Sequence, residues 1–325
     1  MRTKHIIEIS REYYYLDPAD VITVTEGGQS HLVRIEDLAY KSGLLEVNLA
    51  NEDPQAYISD ASGVPLPEHE QDVIYEGPTR LVLIDCPMLL DTHNKPGLYF
   101  ATLGYLNAWR GAVLFKSLDG GASWSEYSAS ARDATVGKAT DVLGDVADPF
   151  VWDDGNSVNI RLLDTTDSLT SATQEEVLNG SNAAILGDEI IQYTTVVAES
   201  DGTYTLSGLL RGRRGTDWAT ADHAAGDTFV VLASNKINFE DFPVNDMDVE
   251  RHYVAVSIGM SMDTGNIQAF TCELRNMMPL SPQHISGSRD ASNDLTISWI
   301  RRTRVGGEWR DLYGVPLGEN SEAYE

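Results

Sequence analysis

Apolar and polar positions alternate with a period of two along most of the chain, which is the periodicity of a strand with one face buried. In residues 43–50 (GLLEVNLA), Leu45, Val47 and Leu49 fall on one face and Glu46 and Asn48 on the other. In residues 294–300 (DLTISWI), Leu295, Ile297 and Trp299 face away from Thr296 and Ser298. Turn-forming clusters interrupt the alternation at Gly27-Gly28, Asp119-Gly120-Gly121, Asp153-Asp154-Gly155-Asn156, Asp201-Gly202 and Asp263-Thr264-Gly265-Asn266. Each predicts a reversal between strands. The one good helix start is Thr173-Gln174-Glu175-Glu176, a capping-box pattern that Asn179-Gly180 closes within two turns. No strand–helix–strand spacing supports a parallel sheet. The pattern predicts a mainly β chain, with several antiparallel β-barrel or β-sandwich modules in series and at most short helices.

A length of 325 residues makes two to four domains the expectation. Residues 59–78 (SDASGVPLPEHEQDVIYEGP) carry three prolines and several acids and read as a surface connection. A second break falls at Met278-Pro279-Leu280-Ser281-Pro282, where the prolines interrupt strand pairing. The predicted modules are an N-terminal β-segment at 1–78, a central β-domain at 79–148 with 233–278 as its candidate continuation, an inserted β-domain at 149–232, and the start of a further module at 279–325. The first and last supply too few strands to stand alone, so both are expected to be incomplete.

Composition narrows the classes. Hydrophobic residues at 42% and charged residues at 22% exclude a disordered or collagen-like chain. Fifty acids against 23 bases give a formal charge of −27, a field that repels polyanions, so nucleic-acid sequence recognition is not expected. No apolar run approaches the roughly 18 residues of a spanning helix, and the N-terminal residues 1–16 lack the apolar centre of a signal peptide.

Candidate chemistry is sparse. Cys86 and Cys272 stand far apart without metal-ligand spacing and read as small core residues, and the seven histidines are scattered singly. Ser117 to Trp124 (SLDGGASW) fits the Asp-box of sialidase-type propellers, but it occurs once; its physical reading is a hairpin loop in which Asp119 accepts backbone N–H bonds. The densest basic cluster is Leu209 to Thr216 (LLRGRRGT), with Arg211, Arg213 and Arg214 as candidate interaction residues. Such arginines either recognise carboxylate, phosphate or glycan anions, or pair with acids of this chain or of a neighbouring subunit; the second reading is favoured in so acidic a chain. The run Arg301-Arg302-Thr303-Arg304 is read in the same way. Carboxylate pairs such as Asp153/Asp154, Glu175/Glu176 and Asp246/Asp248 are too abundant to nominate a glycosidase pair, and 153–156 and 245–248 read as turns. No catalytic residue, metal ligand or cofactor is assigned.

Three strings carry a family resemblance: Gly180 to Tyr193 (GSNAAILGDEIIQY), Tyr204 to Thr216 (YTLSGLLRGRRGT) and His223 to Leu232 (HAAGDTFVVL). Pro279 to His284 (PLSPQH), Leu295 to Gly307 (LTISWIRRTRVGG) and Val315 to Glu319 (VPLGE) follow in order. Together they closely resemble the phage tail proteins that include the large tail-hub "megatron" protein of gene transfer agents. The likeness is strongest over about 150–319, and residues 17–24 and 31–38 are similar less specifically. The resemblance implies a structural virion protein at the tail tip, made in the host cytoplasm, with a fibronectin-III-like module beginning near 279. It implies partners among other hub chains in a homotrimer and among distal tail and tape-measure proteins, with a host surface glycan as a further candidate. Family members can carry a TIM-barrel hydrolase portion whose βα pattern this chain lacks, so that activity is not carried over. The sequence resembles a carboxyl-proximal piece, from a split gene or a shortened chain. The alternative reading is a carbohydrate- or receptor-binding tail module using Trp109, Trp124 or Trp218 for stacking, and less so a glycan-cleaving tail enzyme.

Overall fold

The computed structural model describes residues 4–57, 76–106, 108–307 and 314–324. The chain is mainly β and divides into two units, Met1–Asp72 and Val73–Glu325. The connection read at 59–78 lies outside the described residues up to position 75.

In the first unit, β1 (Lys4–Ser10), β2 (Val21–Glu26), β3 (Gln29–Lys41) and β4 (Leu44–Asn51) form one antiparallel sheet in the order β1-β4-β3-β2. Gly27 and Gly28 make the two-residue turn between β2 and β3, with φ of 58° and 83°. Positive φ at both positions matches the right-handed twist of the flanking strands, and it suits glycine. The alternation of β4 is realised as read: Leu45, Val47 and Leu49 pack with Val33, Ile35 and Leu16 in one buried cluster.

The second unit contains β5 (Thr79–Ile84), β6 (Gly97–Gly104), β7 (Ala112–Ser117), β8 (Ser125–Ser130), β9 (Val136–Ala139) and β10 (Asp153–Leu162). A five-residue helix, α1 (Gln174–Leu178), follows; both capping-box bonds between Thr173 and Glu176 are present, as the sequence predicted. Then come β11 (Ala183–Leu186), β12 (Glu189–Ala198), β13 (Tyr204–Leu210), β14 (Thr228–Val231), β15 (Asn238–Asp241), β16 (Arg251–Ser257), β17 (Gln268–Phe270), β18 (Gln283–Arg289) and β19 (Leu295–Ile300).

Six of these strands close into a barrel, β10-β13-β12-β11-β14-β9. Its first strand lies ahead of residue 149, so the barrel draws on Val136–Ala139 as well. Two sheets flank it, β15-β6-β5 and β17-β16-β7-β8. β15 pairs with β6 and β16 with β7, so the chain returns after the barrel to sheets begun before it.

β6 is buried along almost its whole length and serves two cores. Tyr99, Ala101 and Leu103 pack against the barrel wall with Val136, Ile185, Ile190 and Val230. Leu98 and Phe100 point the other way and pack with Leu114, Tyr253 and Ala255 of the four-stranded sheet. A strand covered on both faces has no polar side to show, which fits the mostly apolar composition of residues 97–104 (GLYFATLG). In the second core Lys116 is buried, ion-paired to Asp246, with the rings of Phe242, Tyr127 and Tyr253 at 5.0–5.9 Å. Both cysteines are free and buried.

Two local expectations are corrected. Asp153-Asp154-Gly155-Asn156 is not a reversal; it opens β10, whose register with β13 shifts between Asp153 and Ser157. Asp153 Oδ1 accepts from the N–H groups of Gly155 and Asn156, so the same turn chemistry holds a bulge inside a strand. The strand at 295–300 forms and pairs with β18, but Leu295, Ile297 and Trp299 remain 52%, 52% and 42% exposed. A two-stranded ribbon buries a face only where another layer packs on it.

Gly97 lies in extended backbone directly beneath the Phe239 ring, and a Cβ there would stand 2.0 Å from Phe239 Cζ. Gly97→Ala is expected to destabilise the unit by about 1–3 kcal/mol through overpacking. The penalty should disappear in a Phe239→Ala background, and urea unfolding of the four proteins of that cycle measures it.

Candidate functional site

The arginine cluster follows β13 at one end of the barrel. Leu209 faces the barrel core, and Arg211, two residues on, continues the same face; Glu189 opens β12 in phase with the core residues Ile191 and Tyr193. Both charged side chains are therefore carried inward and fully buried. All five guanidinium N–H groups are satisfied. Arg211 Nε donates to Glu189 Oε1 at 2.9 Å, and Nη2 donates to Glu189 Oε2 at 2.9 Å and to the Thr220 carbonyl at 2.9 Å. Nη1 donates to Asp153 Oδ2 at 3.1 Å and to the Gly144 carbonyl at 2.8 Å. Glu189 is equally well used: Gly212 N–H donates to Oε1 and His223 Nε2 donates to Oε2, both at 2.6 Å.

His223 Nδ1 lies 3.1 Å from Asp227 Oδ2. With a carboxylate on each ring nitrogen, both nitrogens must donate, and the ring is an imidazolium. Burial opposes that charge, but the bonds to Glu189 and Asp227 outweigh it and raise the His223 pKa. Burial likewise works against ionised Glu189, and the bonds from His223 and Arg211 still bring its pKa below the ordinary value. Asp153 is lowered in the same way, with burial opposed by Asn156 and Arg211.

The loop beyond Arg211 is tightly wound. Gly212, Arg214 and Gly215 have φ of 55°, 58° and 89°. A Cβ on Gly212 would meet the Asp217 backbone at 2.7 Å, so glycine is required there on two counts. Arg213 Nε donates to Gln192 Oε1, and Gln192 Nε2 donates to the carbonyls of Val177 and Ser181, which ties the loop to α1. Arg214 donates to the Met88 carbonyl. Burial, and then the charge of Arg214, lower the Arg213 pKa. The structure thus separates the three candidate residues: Arg211 pairs with carboxylates inside the barrel, and Arg213 and Arg214 bond to neutral groups.

The second basic run is neutralised. Arg301 pairs with Glu322, Arg302 with Asp217 and Arg304 with Glu319. The Asp-box string is the β7–β8 loop. The side chain and N–H of Ser123 and then the Ser117 hydroxyl donate to Asp119, holding its carboxyl well below the usual carboxylate range. Trp109 donates to Thr79 Oγ1 at 2.8 Å and its ring packs on Gly104, while Trp218 is exposed with the Arg275 guanidinium 4.7 Å from its ring centre. Among the described residues no group of His, Cys, Asp and Glu is arranged to hold a metal ion.

Glu189 as the partner of Arg211, and His223 as the partner of Glu189, escaped the sequence reading. The available signal was phase, since a glutamate in step with Ile191 and Tyr193 on an apolar strand must be buried with a counter-charge or face water.

Fold and site together define a closed antiparallel barrel stoppered at one end by a buried ion network. Residues 134–230, which span the barrel from just before β9 into β14, match the family described as "Rcc01698-like, C-terminal". No curated protein matches the chain.

Two outcomes test the network. Replacing Arg211 with methionine leaves Glu189 and Asp153 buried without their counter-charge, and a loss of about 3–5 kcal/mol is expected in urea unfolding. Arg211→Lys restores charge without the fork and should fall between methionine and the native protein. The pH dependence has two limbs. Lowered Glu189 and Asp153 stabilise above the ordinary carboxylate range and lose this as the pH falls through their folded values. Raised His223 stabilises fully below about pH 6.5, and that stabilisation is lost as the pH rises through its folded value. The melting temperature should accordingly fall on the alkaline side, and His223→Gln should flatten that limb while also weakening the acid one, because His223 is a donor to Glu189.

Proposed function

We propose that the chain is a structural, non-catalytic component of the tail tip of a phage or phage-like particle, a baseplate-hub segment that helps close the tail tube and presents modules for host contact. The observation that carries this reading is the coincidence of the Rcc01698-like match with the closed barrel. The sequence resemblance to tail-hub proteins, which runs on through 279–319, gives the reading its place in a particle. The physical build agrees with a load-bearing part. The barrel has no free strand edge, and its end is held by a saturated ion network. The open edges lie elsewhere, for example at β1 and β2 of the first unit, where symmetric copies can pair.

On this reading the partners are other hub chains in a trimer, together with distal tail and tape-measure proteins. A receptor-binding role takes its support from Trp218, an exposed aromatic beside the arginine loop. Electron microscopy of purified particles carrying a label on this chain tests the assignment. Label confined to the distal tip, in threefold arrangement, is expected; label along the tube or on the capsid overturns it.

A further inference from the structure

A cavity of about 610 Å³ opens beside the arginine loop in the second unit, a volume suited to a small molecule. Arg214, Arg132 from the segment joining β8 to β9, Asn179, Ser234 and Asn235 line it, together with His93, Tyr99 and an apolar wall that includes Leu89 and Phe239. Among the described residues no carboxylate lines it, although acids outnumber bases by more than two to one in this chain. Arg132 spends Nη1 on the carbonyls of Ser234 and Ile237, and Arg214 spends Nη1 on that of Met88. The other donors of each guanidinium have no protein partner among the described residues. Arg211, Arg302 and Arg304 are matched with acids, whereas these two arginines, both on the cavity wall, bond only to carbonyls.

We propose that this cavity binds a sugar bearing a carboxylate or a phosphate group, its anion taken by Arg132 and Arg214 and its hydroxyls by Asn179, Ser234 and Asn235. Guanidinium forks suit either oxyanion, which is the chemistry the two ligand types share. The cavity is larger than a bare oxyanion requires, and its neutral amides and hydroxyl match a polyol. A nucleotide base would need a free aromatic face. The Phe239 ring is instead stacked on His93 at 4.1 Å and packed against Gly97. A polyanionic strand would meet the field of a chain with charge −27, to which a single anionic group is far less sensitive. Arg214 holds its place through a left-handed backbone, φ 58°, an uncommon conformation for a side-chain-bearing residue. The inference stands on this cavity alone and is independent of the chain's place in a particle.

Titration calorimetry of the full chain at low salt tests it, with glucuronate and glucose 6-phosphate as probes and glucose and inorganic phosphate as controls. Both acidic sugars are expected to bind with Kd below about 1 mM, and glucose and inorganic phosphate at least about tenfold more weakly. Arg132→Gln and Arg214→Gln should each weaken the acidic sugars about tenfold, the scale of one charge-assisted hydrogen bond. Ser234→Asp, at an exposed position, keeps both arginines, brings a carboxylate to the cavity and should abolish binding without changing the melting temperature; it carries the test if an arginine variant fails to fold. No binding of either acidic sugar, equal binding of glucose or inorganic phosphate, or undiminished binding by Ser234→Asp overturns the proposal.

Discussion

A guanidinium placed inside a β-barrel must find a partner for every one of its donors, and that requirement shapes one end of this protein. Arg211 reaches Glu189 on β12, Asp153 at the start of β10, the Gly144 carbonyl ahead of it and the Thr220 carbonyl in the loop beyond. Four separate stretches of chain are thereby set around a single side chain. Glu189 extends the network through His223 to Asp227, next to β14. Desolvating so many charges is unfavourable in itself, and the network is stable because each charge is matched and each hydrogen-bonding group is used. It ties together the bulge of β10, through Asp153, and the left-handed turn at Gly212, whose N–H donates to Glu189.

The barrel is in turn braced from outside. β6 contributes alternate side chains to two cores and acts as the shared wall between the barrel and the sheet β17-β16-β7-β8. The connection that leaves β8 for β9 crosses from sheet to barrel and carries Arg132, while the arginine loop brings Arg214 from the barrel side. The cavity is lined from the barrel side by Ala183 and Arg214 and from the sheet β15-β6-β5 by Tyr99 and Phe239. Its two arginines escape the carboxylate pairing that neutralises the run 301–304.

The strands were legible because alternation is a local property. Leu45, Val47 and Leu49 on β4 could occupy only one face, and the capping box at Thr173 needed no distant residue. Where local signals failed, a distant partner had intervened. The turn chemistry of 153–156 was real, but β13 ran alongside and converted a reversal into a bulge. The alternation of 295–300 was equally real, yet burial of its apolar face depends on a layer that only tertiary packing supplies.

The site divides along the same line. The amino-acid sequence by itself determined that the chain is mainly β, that three arginines cluster after a strand, and that the chain as a whole is acidic, since these facts rest on local pattern and composition. Tertiary structure alone decided that Arg211 is a buried lock and that Arg213 and Arg214 lack carboxylate partners. Glu189 and Asp153 lie 22 and 58 residues from Arg211, and barrel closure brings them within hydrogen-bond distance. Phase along a strand says which way a charge points, and only the fold says what waits there.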